Sequence, residues 1–438
     1  MKNFKLVAAA AAAALVALLV PAAASAAPTP VQLTDFSPAR TPDLAGQKHA
    51  TAVNPRNGRQ LVFGFFGDDE GAYLAANVYT PSGAPIGGEH VFLDGTGTTS
   101  NQSFGAAYNP VTGGWIVTWL DTDAKTYTVQ MLKASGAAQG SARTLVTSPD
   151  INCCGSSDIA WDSRKKQFLV AWSYYSNTGE TTPDGSPTGR FVKPNGIPVA
   201  GGSFRLLSNV SQFSLWNDYH QLALEYSPRH NSFGLLTKAR NVSVSANWRP
   251  YFQRLNSKGR PAGSAKNLTP LPAPGSNVGN VDLAYSAKSD QYAAIWGETD
   301  GSENPIYVQR LKGSTGAVVG APVLQGLPTG ATINRYRTKI AAGPSGFYAV
   351  STFDNSDSGG QPGIGGFKIG ANGSTVGEPV WLWTDAAGPA YRPQVTFDRV
   401  SCRFVVTYVG DADGSGPSAA YQLFESRVST TGCKKPKR

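Results

Sequence analysis

Charge is scarce in this chain: Asp, Glu, Lys and Arg make up 15% of its 438 residues, and only four histidines and four cysteines accompany them. No His or further Cys stands at metal-ligand spacing from Cys153 and Cys154, which sets a soft-metal site aside. A Gly-x-Ser-x-Gly elbow and a His-Glu-x-x-His pair are both missing, so two common signatures of hydrolytic catalysis are absent. Beyond the first residues there is no long apolar run, and hence no membrane span is expected. No later window places apolar residues at helical spacing.

The chain opens on "MKNFKLVAAAAAAALVALLVPAAASAAPTP": Lys2 and Lys5, an apolar run from Leu6 to Val20, and the small-residue site Ala24-Ser25-Ala26. This order predicts a cleaved secretory signal over residues 1–26, a mature start at Ala27 and an extracellular product, where disulfides persist. Of the formal charge of +9, two units belong to that signal and four to the tail Lys434, Lys435, Lys437 and Arg438, which leaves +3 for the body. So modest a sum argues against a nucleic-acid groove. The basic tail, residues 434–438, suits anionic cell-wall polymers, and equally a solvated charge run with no partner.

What the chain has in quantity is glycine, proline and aromatics, with 49, 30 and 45 residues respectively, the mark of short strands joined by turns. Seven segments share a small or apolar pair, an aromatic and a turn: "AAYNP", "IAWDS", "LEYSP" and "LAYSA", with looser copies "TAVNP", "AAGP" and "VTFDR". Each precedes an apolar strand such as "WIVTWLD" or "FLVAWSY". A third strand then turns on Gly83, Gly136, Gly196, Gly259, Gly316, Gly373 or Gly432, a period of 53 to 63 residues. That length suits four strands, and a lone four-stranded sheet cannot bury both its faces, so the copies must pack on one another.

The last copy, "AAYQLFESRVSTTGC", lacks a fourth strand, whereas "TPVQLTDFSP" near the amino end reads as a fourth strand without its first three. Together they complete one sheet. This resembles the strand-exchange closure of β-propellers, and the resemblance implies an all-β, secreted, seven-bladed propeller over residues 27–433, expected to be a monomer. No narrower family is indicated: a sialidase-type Asp box is absent, and Trp161-Asp162 lies in a first strand, not at the end of a third as in WD40 repeats. A propeller by itself carries no activity.

In such a blade the turns joining strands one to two and three to four share one face of the disc. Cys402 and Cys433 both fall there in blade seven and are expected to bond. Cys153 and Cys154, in the link between blades two and three, are out of their reach and have each other as partner. Adjacent α-carbons lie about 3.8 Å apart, below the usual disulfide range of about 4.4 to 6.8 Å. A ring there forces a tight turn, with Gly155 placed to accept the backbone consequence. It either stiffens a loop or offers a rigid sulfur platform to a ligand.

The opposite face is expected to carry the ligand, at the mouth of the channel. Just before each first strand stand Gln47-Lys48, Gln102-Ser103, Gly155-Ser156, His220-Gln221, Gly279-Asn280, Tyr336-Arg337 and Tyr391-Arg392. The segment "NVSQFSLWNDYHQ" adds Phe213, Trp216, Asp218 and Tyr219. Aromatic planes beside amide, guanidinium and carboxylate groups suit sugars. The ligand-binding candidates are therefore Gln102, Trp216, Asp218, His220, Asn280, Tyr336, Arg337, Tyr391 and Arg392. Each has a structural alternative: Trp216 can fill a seam between blades, Tyr336 and Tyr391 can pack on neighbouring first strands, and Arg337 and Arg392 can pair with Asp354, Asp357, Asp411 and Asp413.

The acidic loops "GDDEG", "LDTDAK", "GETDGSEN", "FDNSDSGG" and "GDADGSGP" invite calcium, although none completes a twelve-residue calcium loop and Asp, Asn and Gly are ordinary turn residues. No other cofactor is indicated. Among the histidines, His230 is expected in a far-face turn, His90 near an outer strand and His49 inside the first strand of blade one. That leaves His220 as general acid or base. For a lyase, Arg337 and Arg392 would neutralise a uronate carboxylate while His220 or Tyr219 takes the neighbouring proton. For a hydrolase, Asp218 and Asp158 are the available acids. The leading expectation is a carbohydrate-binding, lectin-like propeller with one asymmetric site, followed by a polysaccharide lyase or glycoside hydrolase and then a platform for a secreted protein partner.

Overall fold

All seven repeat glycines, from Gly83 to Gly432, hold φ between +65° and +95°, the left-handed region that an outer turn requires. They lie in a computed structural model that describes residues 28–33, 48–68, 71–96, 103–121, 123–148, 151–176, 186–208, 213–214, 222–241, 248–269, 277–299, 305–332, 337–355, 361–384, 388–411 and 421–433.

The chain forms a seven-bladed β-propeller. After β1 (Val31–Gln32), blade one is β2 (Lys48–Val53), β3 (Gln60–Asp68), β4 (Gly71–Tyr79) and β5 (His90–Thr96). Blade two is β6 (Phe104–Tyr108), β7 (Trp115–Asp121), β8 (Thr126–Leu132) and β9 (Arg143–Thr147). Blade three is β10 (Ile151–Asp162), β11 (Gln167–Ser176), β12 (Thr188–Val192) and β13 (Phe204–Arg205). Blade four has a first strand in two pieces, β14 (Phe213–Ser214) and β15 (Leu222–Ser227), then β16 (Ser232–Asn241), β17 (Arg249–Leu255) and β18 (Lys266–Asn267).

Blade five is β19 (Asn277–Ser286), β20 (Gln291–Thr299), β21 (Ile306–Lys312) and β22 (Val318–Leu324). Blade six again divides its first strand, β23 (Ala331–Thr332) and β24 (Lys339–Gly343), followed by β25 (Gly346–Asn355), β26 (Gln361–Ile369) and β27 (Thr375–Trp383). Blade seven is β28 (Ala390–Asp398), β29 (Arg403–Asp411) and β30 (Tyr421–Ser429), completed by β1 through Val31 opposite Glu425 and Gln32 opposite Phe424.

The core lies between blades. Among the described residues the buried apolar side chains form seven clusters, each straddling one seam. Trp172 of blade three packs with Tyr127 of blade two, their centroids 5.7 Å apart, and Trp296 and Tyr292 of blade five join Phe252 of blade four. At the closing seam Leu33, 2% exposed, sits among Val62, Tyr73 and Tyr79 of blade one and Val409 and Leu423 of blade seven. The ring is thus sealed by burial as well as by the β1 ladder.

Cys402 and Cys433 are bonded, with α-carbons 5.7 Å apart, tying the β28–β29 turn to the chain just after β30. The paired cysteines differ from expectation. Cys153 and Cys154 lie within β10 and not in a tight turn of the link, and Cys153 faces Tyr175 of β11 between two register shifts. Their side chains lie outside the described residues. Gly155 also serves another purpose: a β-carbon there would stand 2.0 Å from the Tyr127 hydroxyl, which donates to the Ser173 carbonyl at 2.6 Å. No helix among the described residues is long and apolar enough to cross a membrane.

Candidate functional site: the central channel

The first strands line the channel, and their residues there follow from strand alternation. Counting back from the aromatic position at Val53, Tyr108, Trp161, Tyr226, Tyr285, Ala342 and Phe397, the third residue before it is Ala50, Gly105, Asp158, Ala223, Asp282, Lys339 or Gln394. The residue directly before it is alanine in five blades, Thr396 in blade seven and Glu225 in blade four. Two layers that are mostly small therefore carry three carboxyl groups and one ammonium. The space left open is a cavity of about 500 Å³, touched by first-strand residues of all seven blades.

Asp158 and Asp282 repeat one contact. The Leu224 N–H of blade four donates to Asp158 Oδ2 at 2.8 Å, and the Ile340 N–H of blade six donates to Asp282 Oδ2 at 2.8 Å. Each aspartate thus clasps the next blade, and Lys339 Nζ lies 3.4 Å from Asp282 Oδ1. Burial pushes Asp158 up to about 6, against the pull of its hydrogen bonds and of Lys339. Burial likewise raises Asp282, which Lys339 opposes.

Glu225 differs from both. No described residue hydrogen-bonds its carboxyl group, and burial, with the charges of Asp158 and Asp282, holds its pKa well above the usual carboxylate range. His49 Nε2 lies 3.0 Å from Thr407 Oγ1, which also meets Thr51 Oγ1 at 2.7 Å, joining blade one to blade seven beside the cavity. Burial and the charges of Arg392 and Lys339 lower His49 to about 3, so the ring is neutral. Ser103, Ser156, Ser157, Gln394 and Thr396 add hydroxyl and amide groups, and Trp161 presents an indole at the turn end. Such a cavity can offer a polar ligand three carboxyl groups, one ammonium and several hydroxyl and amide groups.

Gln102, Trp216, Asp218, Tyr219, His220 and Tyr336 lie outside the described residues. Of the other sequence candidates, Asn280 and Arg392 were expected just before a first strand but lie inside β19 and β28, at register shifts. They are 8% and 4% exposed. Tyr391 packs against the closing cluster around Leu33, and Arg337 precedes β24. None of these four lines the cavity. His49, His90 and His230 stand where the sequence reading puts them, in β2, at the start of β5 and in the β15–β16 turn. Asp158 does face the channel. Glu225 was not among the candidates, and its signal is its place in a layer that is otherwise alanine or threonine.

Of the acidic loops proposed for calcium, residues 69–70, 122, 300–304, 356–360 and 412–420 lie outside the described residues. Among those described, no three His, Cys, Asp or Glu residues gather as a metal site.

No family model matches the chain. No curated protein matches it either. Solved structures do. The polysaccharide lyase Uly1 is similar over 90% of this chain and 91% of its own, at 10% identity and a TM-score of 0.52. The α-L-arabinanase of Penicillium chrysogenum is similar over 92% and 99%, at 12% identity and 0.45. The β-propeller domain of the Trilobed protease from Pyrococcus furiosus is similar over 89% and 99%, at 9% identity and 0.45. At such identities the likeness is one of fold, and the chain has the seven-bladed propeller architecture.

Proposed function

We propose that the protein is an exported, glycan-acting propeller that seats a saccharide in its central channel, with carbohydrate binding as the primary activity. The observation that carries this reading is the cavity of about 500 Å³ lined by Asp158, Glu225, Asp282 and Lys339 together with Thr51, Ser103, Ser156, Ser157 and Thr396, with Trp161 at one end. Its volume falls in the range of small-ligand sites, about 300 to 1,000 Å³. Sugars need many fixed hydrogen-bond partners, and this lining offers carboxyl, ammonium, hydroxyl and amide groups for them. The propeller of Uly1, a polysaccharide lyase, supplies an analogy of fold only.

A second reading, hydrolysis, is favoured by Glu225 beside Asp158. Burial and the charges of Asp158 and Asp282 make Glu225 hold its proton to higher pH than an ordinary carboxyl group, and burial raises Asp158 to about 6. General acid and base catalysis of glycoside cleavage needs one carboxyl group that retains its proton near another that ionises, and the upward shift of Glu225 suits it to the acid role. Glu225 would protonate the departing glycosidic oxygen.

The test is a panel of plant and cell-wall polysaccharides, followed for retention, new reducing ends and absorbance of new double bonds. Retention alone supports the binding reading, and reducing ends without double bonds support hydrolysis. Double bonds would shift the reading to a lyase, and a blank panel on all three counts would remove the glycan.

A further inference from the structure

Blades three and four leave a second cavity of about 330 Å³ on the face of the one-to-two and three-to-four turns. Its charged lining is Lys165, Lys258 and Arg260, and no carboxylate among the described residues joins them. The cations are held in place. The Arg260 guanidinium lies 4.6 Å from the centre of the Phe204 ring, Lys165 Nζ lies 5.7 Å from that of Phe191, and Lys165 also donates to the Ser257 carbonyl. On one wall Gly201 and Gly202 hold φ of +108° and +74°, and a β-carbon at either would meet nothing within 4 Å.

The surrounding turns have the same sign. Arg164, Lys166 and Lys193 are all exposed. Arg164 reaches across the seam to the carbonyls of Pro228 and Arg229. Of the carboxylates nearby, Asp162 is fully buried, and Asp290 is engaged by His230, Tyr285 and Arg229. A chain with a modest summed charge therefore gathers uncompensated positive charge on one part of one face.

We infer that this groove binds an anionic group of an acidic polysaccharide, with the flanking cations meeting further anions along the polymer. Carboxylate, sulfate and phosphate share the chemistry that Arg260 and Lys258 recognise. An acidic glycan fits better than nucleic acid because the cations cover Phe191 and Phe204, leaving no open aromatic face on which bases could stack. The site is separate from the channel and does not depend on what the channel holds.

The experiment measures affinity of the full chain for polygalacturonate, chondroitin sulfate, poly(glycerol phosphate), neutral arabinan and DNA, at about 50 and 200 mM salt. The expected result is binding to polygalacturonate or chondroitin sulfate that weakens steeply with salt. Joint substitution Lys258→Glu and Arg260→Glu lowers that affinity about tenfold or more and flattens the salt slope, while Lys368→Glu on exposed blade six changes it less than about twofold. Melting temperatures close to the parent's certify the folded state, and Lys258→Gln with Arg260→Gln gives an intermediate loss. An unchanged affinity in the doubly reversed variant, no retention on any acidic glycan at low salt, or tighter binding to DNA would each overturn the assignment. Loss of channel activity in Glu225→Gln with polyanion binding intact separates this site from the channel reading.

Discussion

The Leu33 N–H donates to the Leu423 carbonyl at 2.9 Å, extending the two-residue β1 ladder by one bond and placing the Leu33 side chain between blades seven and one. Val31 and Gln32 are both exposed, so among residues 28–33 Leu33 is the one buried side chain that packs the amino-terminal strand into this seam. Leu33→Ala should therefore cost about 3 kcal/mol. Denaturant unfolding monitored by tryptophan fluorescence measures it, and a loss below about 1 kcal/mol would show that the β1 backbone alone seals the ring.

The Cys402–Cys433 bond closes a segment with a sequence separation of 31 beside the same seam. Replacing both by serine should lower stability by about 3 to 4 kcal/mol through the freed unfolded chain. The comparison is of unfolding free energies with and without the bond, each taken with its own denaturant slope, which should be steeper without the bond.

Asp158 and His49 bind protons in opposite ways. Asp158 sits near 6 in the fold against 3.8 unfolded, so between those values the native state holds the extra proton, and stability falls as pH rises through the window. Asp158→Asn cannot titrate. Its stability relative to the parent should improve between pH 4 and pH 7 by something on the order of 2 kcal/mol. His49 sits near 3 against 6.5 unfolded, so its share of stability is full above 6.5 and is lost as pH falls toward 3. His49→Gln should flatten that acid limb. Thermal midpoints across pH for both variants test the two signs.

Gly155 tolerates no side chain, because Tyr127 occupies the space where one would begin. Gly155→Ala should destabilise the seam between blades two and three by about 2 kcal/mol or more, and Tyr127→Phe in the same chain should recover only part of it, since the Ser173 carbonyl oxygen would still stand 2.8 Å from the added carbon. A double-mutant cycle in denaturant resolves the coupling.

Much of the architecture was legible because it rests on local chemistry. Each turning glycine adopts a φ that side chains disfavour, the missing fourth strand of the last copy announced β1, and the shared turn face of Cys402 and Cys433 announced their bond. The site was less legible. The register shifts in β10, β19 and β28 carry strand structure further toward the links than periodicity suggests, which is why Cys153 is in a strand and Asn280 and Arg392 are buried. Glu225 escaped because its neighbours Leu224 and Tyr226 read as an ordinary strand. Its oddity shows only when the copies are laid side by side and alanine fills five of the other six places.

Glu225→Gln keeps the shape of the channel while removing the titrating proton. Saccharide cleavage should fall at least about a hundredfold if the side chain protonates a leaving group, with retention reduced only a few-fold. In the parent, cleavage should decline as pH rises through the elevated pKa of Glu225. Initial rates across pH for both proteins provide the measurement.

The most direct measurement is diffraction from crystals soaked with an oligosaccharide chosen by the polysaccharide panel. The account predicts a sugar ring inside the channel, with hydroxyls within hydrogen-bond reach of Glu225 and Asp158. Sugar density confined to the outer faces of the disc, with the channel free of it, would contradict the account.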